Sequence, residues 1–256
     1  MIDLNCDMGE SFGAYVLGND EALMPLITSA NIACGYHAGD PMVMDRTVRL
    51  AVRYGVGIGA HPGFPDLIGF GRRAMHLTPD ETENYILYQV GALAAFARSA
   101  GAELTHVKPH GALYNIAARD PEVARAVARG VARAGRGLIL VGLAGSAMAQ
   151  AAQELGIPFA REGFADRAYR SDGTLCPRHI PGAVIHDPEQ AAAQAVRIAQ
   201  QGEVVAIDGA VIPMAVDTLC IHGDTPGAVE IARAVRRQLE DAGVTVAPMG
   251  QFVGRP

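Results

Sequence analysis

Of the 21 lysines and arginines in this chain, only one is a lysine: Lys108, in Leu104-Thr105-His106-Val107-Lys108-Pro109-His110-Gly111. On a solvated surface either cation serves, and the chain uses arginine. A lone lysine ending an apolar run, two residues before a histidine, reads as chosen for its amine, a compact ammonium whose pKa falls readily on burial. Asn5-Cys6-Asp7-Met8-Gly9-Glu10 places two carboxylates three residues apart beyond another run. Close carboxylates bind a cation or divide into an acid and a base. The competing reading is an N-cap pair for a short helix near residues 19–24. His37, in Cys34-Gly35-Tyr36-His37-Ala38-Gly39-Asp40, and His61, in Gly59-Ala60-His61-Pro62-Gly63, each follow an apolar run. Their neighbouring glycines let backbone approach a ligand. Each can act as a general base or a metal ligand. Asp7, His37 and His61 form the candidate divalent-metal set, a facial site with open positions.

Gly69-Phe70-Gly71-Arg72-Arg73 carries two adjacent arginines on a glycine-rich loop, which suits a phosphate or carboxylate because guanidinium pairs with such groups bidentately. In Arg161-Glu162-Gly163-Phe164-Ala165-Asp166-Arg167, the residues Glu162, Asp166 and Arg167 are expected to position substrate or to form a salt-bridge network. Asp208 and His222 end two later apolar runs, and Asp224 follows His222. His76, His106, His179 and His186 are read as structural, and Cys6, Cys34 and Cys220 as small buried residues.

The elements that must position these groups follow one repeated pattern: an apolar run, a glycine-rich polar segment, then Asp or Thr followed by proline. The pairs are Asp40-Pro41, Thr78-Pro79, Asp120-Pro121, Asp187-Pro188 and Thr225-Pro226. Each fits a helix start, with an oxygen-bearing N-cap and proline at the first helical position. Thr78 and Glu81 complete a capping box. A further helix is expected over 146–155. Apolar runs lie at 2–6, 29–34, 56–60, 104–107, 138–141, 157–160, 204–207 and 218–221. Apolar strands alternating with helices mean a parallel sheet covered on both faces. Seven or eight such units predict an α/β fold, a distorted (β/α) barrel of seven or eight parallel strands, with an open doubly wound sheet as the alternative. The stretches at 164–186 and 209–217 lack an obvious helix. In a parallel barrel the strand-end residues converge on the carboxyl-end face, which makes this face the expected enzyme mouth.

Bulk properties agree. The chain has 256 residues, 50% hydrophobic and 19% charged, and is expected to form a single domain over 1–256. With net charge −6, no tryptophan and no basic stripe, a nucleic-acid partner is not expected. No apolar stretch approaches the ~18 residues of a membrane span. The first residues lack signal-peptide features, and the cysteines lack C-x-x-C spacing, so a reduced cytoplasmic protein is expected. No G-x-x-x-x-G-K-[ST] occurs, so autonomous ATP binding by a phosphate loop is not expected.

The segment Asp3-Leu4-Asn5-Cys6-Asp7-Met8-Gly9-Glu10-Ser11-Phe12-Gly13 resembles the opening motif of the LamB/YcsF family. The resemblance continues through 30–41, Gly59-Ala60-His61-Pro62-Gly63, the loop ending in Arg72-Arg73 and Lys108-Pro109-His110-Gly111-Ala112-Leu113-Tyr114-Asn115. It goes on through 162–169, Asp172-Gly173-Thr174-Leu175 and Cys220-Ile221-His222-Gly223-Asp224. It spans nearly the whole chain in order; Tyr36 stands where phenylalanine is expected. The resemblance implies a barrel of the glycoside hydrolase/deacetylase type. It also implies a part in ATP-dependent opening of 5-oxoproline (pyroglutamate) to L-glutamate, with two partner subunits, B and C; the missing phosphate loop fits a division in which those partners bind most of the ATP and this chain hydrolyses. Within that activity Lys108, Arg72 and Arg73 are expected to hold phosphate or substrate carboxylate. Glu10, Glu162, Asp166, Arg167, Asp208 and His222 would contribute to substrate binding. Asp7 or His61 is expected as base toward water, with His37 and His110 donating to developing charge. Two other readings stay open: a stand-alone divalent-metal-dependent deacetylase or amidase, and a non-catalytic component that binds a small lactam.

Overall fold

The chain runs β1 (Asp3–Met8), α1 (Asp20–Leu23), β2 (Ser29–Ala33), α2 (Pro41–Tyr54), β3 (Gly57–His61) and α3 (Pro79–Ser99). It continues β4 (Leu104–Val107), α4 (Gly111–Ala117), α5 (Pro121–Ala134), β5 (Ile139–Leu143), α6 (Ala147–Leu155) and β6 (Phe159–Phe164). The last elements are α7 (Pro188–Gln201), β7 (Glu203–Val205), β8 (Val211–Pro213), β9 (Thr218–Ile221) and α8 (Ala228–Asp241). These elements are taken from a computed structural model that describes residues 1–254. Seven parallel strands close a barrel in the order β1-β2-β3-β4-β5-β6-β9.

Four proline-marked starts open helices as expected. Asp40, Thr78, Asp120 and Asp187 each accept from first-turn N–H groups, and Thr78 with Glu81 completes the capping box. Gly55, Gly156 and Gly202 end their helices in the left-handed conformation that glycine adopts without Cβ strain. The fifth start differs: α8 begins after Gly227, and Thr225-Pro226 forms a turn in which Thr225 C=O accepts from Ala228 N–H. Short α1 is capped by Asn19, so Asp7 and Glu10 are not its caps.

The run at 204–207 is not a barrel strand. Its β7 pairs antiparallel with β8 in a separate hairpin, and Val205 and Ile207 are exposed. The barrel has no slot for it, because β6 pairs directly with β9 through Glu162↔Thr218, Gly163↔Leu219 and Phe164↔Cys220. Asp208 consequently sits in the hairpin turn, where its carboxylate accepts from Ala210 N–H.

Helices cover the outside of the barrel, and the apolar core lies between the two layers. Leu4, Cys6 and Met8 of β1 join that core. The alternate residues Asp3, Asn5 and Asp7 line the barrel interior, which in so narrow a barrel is filled by side chains. At its amino end the Asp3 carboxylate accepts from the hydroxyls of Thr28, Ser29 and Thr218 and from Met249 N–H. No helix among the described residues is long and apolar enough to cross a membrane.

Candidate active site

Above Asp3 the barrel holds a buried column of amides, charges and one imidazole. Asn5 donates to Glu162 Oε1 at 3.1 Å and Thr218 Oγ1 at 2.7 Å. Asn31 donates to Asn5 Oδ1 at 2.7 Å and Asp7 Oδ1 at 2.9 Å, and accepts from His106 Nε2 at 2.8 Å. An alanine at Gly59 would put its Cβ inside the His106 ring, so glycine there makes room for that imidazole. His106 is the support that its place on β4 suggests. Burial, then the charge of Lys108, lowers its pKa to about 3, so it stays neutral.

Lys108 rests on this column. Its Nζ lies 2.9 Å from Glu162 Oε1 and 3.0 Å from Asp7 Oδ1, and donates to Cys220 Sγ at 3.1 Å and Asn5 Oδ1 at 3.3 Å. Tyr114, on α4, donates to Glu162 Oε2 at 2.7 Å. Burial opposes the lysine's charge, but Asp7, Cys220 and Glu162 outweigh it and raise its pKa well above the usual value. Burial alone would depress the amine, but with these partners Lys108 is a fixed cation. Burial likewise works against ionising Asp7, yet His61 and Lys108 hold its carboxyl well below the ordinary range. The Cys220 thiol is pushed well up, by burial first.

Beside the lysine stand three histidines. The His37 and His110 rings stack in parallel with centroids 3.7 Å apart, and His61 is perpendicular to both. His61 Nε2 lies 3.3 Å from Asp7 Oδ2, and His110 Nδ1 lies 3.9 Å from Glu10 Oε1. Burial, then neighbouring imidazoles, holds the pKa values of His37 and His110 well below 6.5. Burial, then the charges of Asp7 and Asp224, raises that of Glu10. One ligand atom from each of Glu10, His37, His61 and His110 falls within 4.8 Å of the others, so this cluster could hold a metal ion. The grouping replaces Asp7 of the sequence-derived set with Glu10 and His110, because Asp7 Oδ1 is committed to Lys108 and Asn31. Two glycines approach these rings closely: a Cβ on Gly63 would meet His37 Nδ1 at 2.7 Å, and one on Gly71, whose φ is +62°, would meet His37 and His110 at 2.8 and 2.9 Å. Phe70 beside it has φ +54°, a left-handed conformation that is strained for a bulky residue.

A second constellation forms where β6 meets β9. His222 Nδ1 lies 2.9 Å from Asp166 Oδ1, and His222 N–H donates to Asp166 Oδ2 at 3.0 Å. Carboxylates accept, so Nδ1 carries the hydrogen and Nε2 the basic lone pair. His222 stacks on Phe164, and donor atoms of His222, Asp7 and Cys220 lie within 4.8 Å of one another.

Asp7, Glu10, His61, Arg72, Lys108, His110, Arg167 and His222 line one cavity of about 920 Å³. Glu162 and Asp166 are buried beneath its lining, and His37 lies behind it. Arg72 reaches the rim, where Nη2 pairs with Asp224 Oδ2 at 2.6 Å. Arg73 turns away to bind Asp66, and with Asp208 it stands outside the lining. Motif spacing did not mark Asn5 and Asn31 as working parts, Tyr114 as a partner of Glu162, or Arg119 and Arg178 as cavity wall. The alternation in Asp3-Leu4-Asn5-Cys6-Asp7-Met8 was the available signal for the first of these. Nothing local pointed to the two arginines.

The family model described as the LamB/YcsF family matches residues 2–254. The 5-oxoprolinase A subunit of Thermococcus onnurineus is 58% identical, covering 98% of this chain and 99% of that one. The corresponding 5-oxoprolinase A subunit of Methylococcus capsulatus is 59% identical, covering 98% and 97%. The crystal structure of a lactam utilization protein from Thermus thermophilus shares 51% identity at a TM-score of 0.92, covering 96% of this chain and 98% of that one.

Proposed function

The chain belongs to the LamB/YcsF family, and from that premise we propose that it is the hydrolytic subunit of an ATP-dependent 5-oxoprolinase, opening 5-oxo-L-proline to L-glutamate on a phosphorylated lactam. The relatives named as 5-oxoprolinase A subunits support the subunit role. The observation that carries the mechanism is the cavity floor, where a cation fixed by Asp7 and Glu162 adjoins an imidazole oriented by Asp166.

A five-membered lactam is a stable amide. Phosphorylating its carbonyl oxygen activates the carbon toward water, and partner subunits B and C supply that step from ATP, since this chain has no glycine-rich phosphate loop. Water then gives a proton to His222 Nε2 and adds to the activated carbon. The carbon–nitrogen bond must break next, because loss of phosphate instead would regenerate the lactam. The imidazolium returns its proton to the ring nitrogen, which leaves as the amine, while the new hydroxyl gives its proton to the freed His222 Nε2 and becomes the acyl carbonyl. The resulting acyl phosphate takes a second water to give glutamate and phosphate. Lys108 and the arginines in the wall (Arg72, Arg119, Arg167 and Arg178) match the phosphoryl group and the substrate carboxylate. Asp7, held ionised, keeps Lys108 in place and is a weak base.

Glutamate release from 5-oxoproline, with and without ATP, by the chain alone and with both partner subunits, tests the proposal. Activity only with ATP and all three subunits is expected. Hydrolysis by the chain alone without ATP would instead establish the stand-alone amidase.

A further inference from the structure

Two carbonyl groups fix the tautomers in the histidine cluster. His61 Nδ1 lies 2.7 Å from Lys108 O, and His110 Nε2 lies 2.8 Å from Phe70 O. A carbonyl oxygen only accepts, so each of these nitrogens carries the hydrogen. In the neutral rings His61 Nε2 and His110 Nδ1 are then bare lone pairs, yet they face each other at 3.0 Å. Carboxylate oxygens of Asp7 and Glu10 stand 3.3 and 3.9 Å from them. With both rings neutral and Glu10 ionised, the state a bound cation would favour, four electron-pair donors converge with no hydrogen among them. Alongside, both ring nitrogens of His37 are buried without a protein partner among the described residues.

We propose that the carboxylate of Glu10, His61 Nε2 and His110 Nδ1 ligate one divalent transition-metal ion. The 3.0 Å nitrogen–nitrogen separation is the edge spanned by two cis ligands at metal–nitrogen distances of about 2.0–2.1 Å. A single shared proton would relieve one of these contacts; a cation relieves the convergence as a whole. Carbonyl oxygens on the far nitrogens are the usual second partners of metal-bound histidine. The strained Phe70 backbone supplies one of them. Nitrogen and carboxylate donors without thiolate suit Zn²⁺, Mn²⁺ or Co²⁺. His37, stacked parallel on His110, cannot aim an in-plane lone pair at the same point; it holds the His110 ring and stands ready to hydrogen-bond a further ligand of the ion. All three ligands line the cavity, so the open position faces substrate.

Metal binding is measured without turnover, so the proposal stands or falls separately from the lactam reading. The full chain is stripped with chelator, equilibrated with Zn²⁺ or Mn²⁺, passed through a desalting column and assayed by mass spectrometry of the elements. About one ion per chain is expected, falling at least ~10-fold in Glu10→Gln and His61→Gln and unchanged in His179→Gln on an exposed loop. Metal retained by both cluster variants overturns the proposal. Because those variants can fail to fold, Co²⁺ is also added to the stripped wild-type protein. Visible absorption of nitrogen-ligated Co²⁺, displaced by Zn²⁺, supports the site; a spectrum that stays that of aqueous Co²⁺ overturns it.

Discussion

Replacing Lys108 with methionine tests the charge arrangement at the cavity floor. The side chains have similar length, so the substitution opens little space and removes mainly the ammonium. Asp7 Oδ1 and Glu162 Oε1, 3.0 and 2.9 Å from that ammonium, are left buried without their cation. Glu162 keeps Asn5 and Tyr114 as donors, and Asp7 keeps Asn31, so the loss is Coulombic more than a loss of hydrogen bonds. Removing one member of a buried ion pair costs about 3–5 kcal/mol. For a chain of this size each kcal/mol lowers Tm by about 2–4 °C, which gives a drop of about 6–20 °C. The assay is thermal unfolding at neutral pH followed by circular dichroism. The double variant Lys108→Met with Glu162→Gln removes one stranded charge as well and should recover part of the loss, a coupling of about 0.5–3 kcal/mol. A Lys108→Met protein within about 2 °C of wild type would refute the reasoning. It would mean that the two carboxylates are neutralised by protons rather than held by lysine.

Three further outcomes follow from the same geometry. Asp166→Asn removes the carboxylate that orients His222, so kcat of the proposed ATP-dependent reaction should fall about 10²–10⁴-fold with KM little changed; a loss under ~3-fold counts against His222 as the base. Gly59→Ala drives a methyl group into the His106 ring, which Asn31 and Thr105 hold in place. It should cost at least about 1–3 kcal/mol of stability by denaturant titration, and an unchanged midpoint would show that the ring can move. His106 has a folded pKa near 3 against 6.5 unfolded, so below 6.5 the unfolded chain takes up a proton that the folded one refuses. Its contribution therefore declines as pH falls through that window, by about 1.4 kcal/mol per pH unit, and His106→Gln should flatten the stability–pH slope by that amount; equal slopes would contradict a neutral His106.

Much of the framework was legible because its signals are local. Asp40-Pro41, Thr78-Pro79, Asp120-Pro121 and Asp187-Pro188 each contain both the cap and the proline that start a helix. Thr225-Pro226 carries the same signal and starts none, because Gly227 takes the cap position just beyond it. The run Val204-Val205-Ala206-Ile207 has the composition of a barrel strand, but composition does not say which edge a strand will pair with; β6 and β9 close the ring without it. In the site, polar residues at strand ends were legible as a group, since a parallel barrel brings those ends to one face. Their partners were not. The Asp7 carboxylate that helps hold Lys108 charged lies 101 residues away on β1, and the sign of the lysine's pKa shift depends on that contact. The same limit hid the meeting of Glu10, His61 and His110, which lie on three separate strand–loop junctions.

The interior network bears directly on which group can move a proton. Lys108 is surrounded by two carboxylates, an amide oxygen and a thiol that all favour its ammonium, and giving up its proton would strand the charges of Asp7 and Glu162 together. Asp7 is the mirror case: accepting a proton would cost it the interaction with Lys108 and His61. Both are fixed charges that need no reorganisation during reaction; Lys108 is the one suited to holding an anionic group, and Asp7 keeps it in place. His61 and His110 each spend one nitrogen on a backbone carbonyl and turn the other into a shared cluster. His222 differs from all of them, because Asp166 orients its ring through Nδ1, and its remaining nitrogen is not claimed by another side chain among the described residues. The division between fixed charges on one side of the floor and one transferable proton on the other follows from the pairing of β6 with β9 that brings Asp166 to His222.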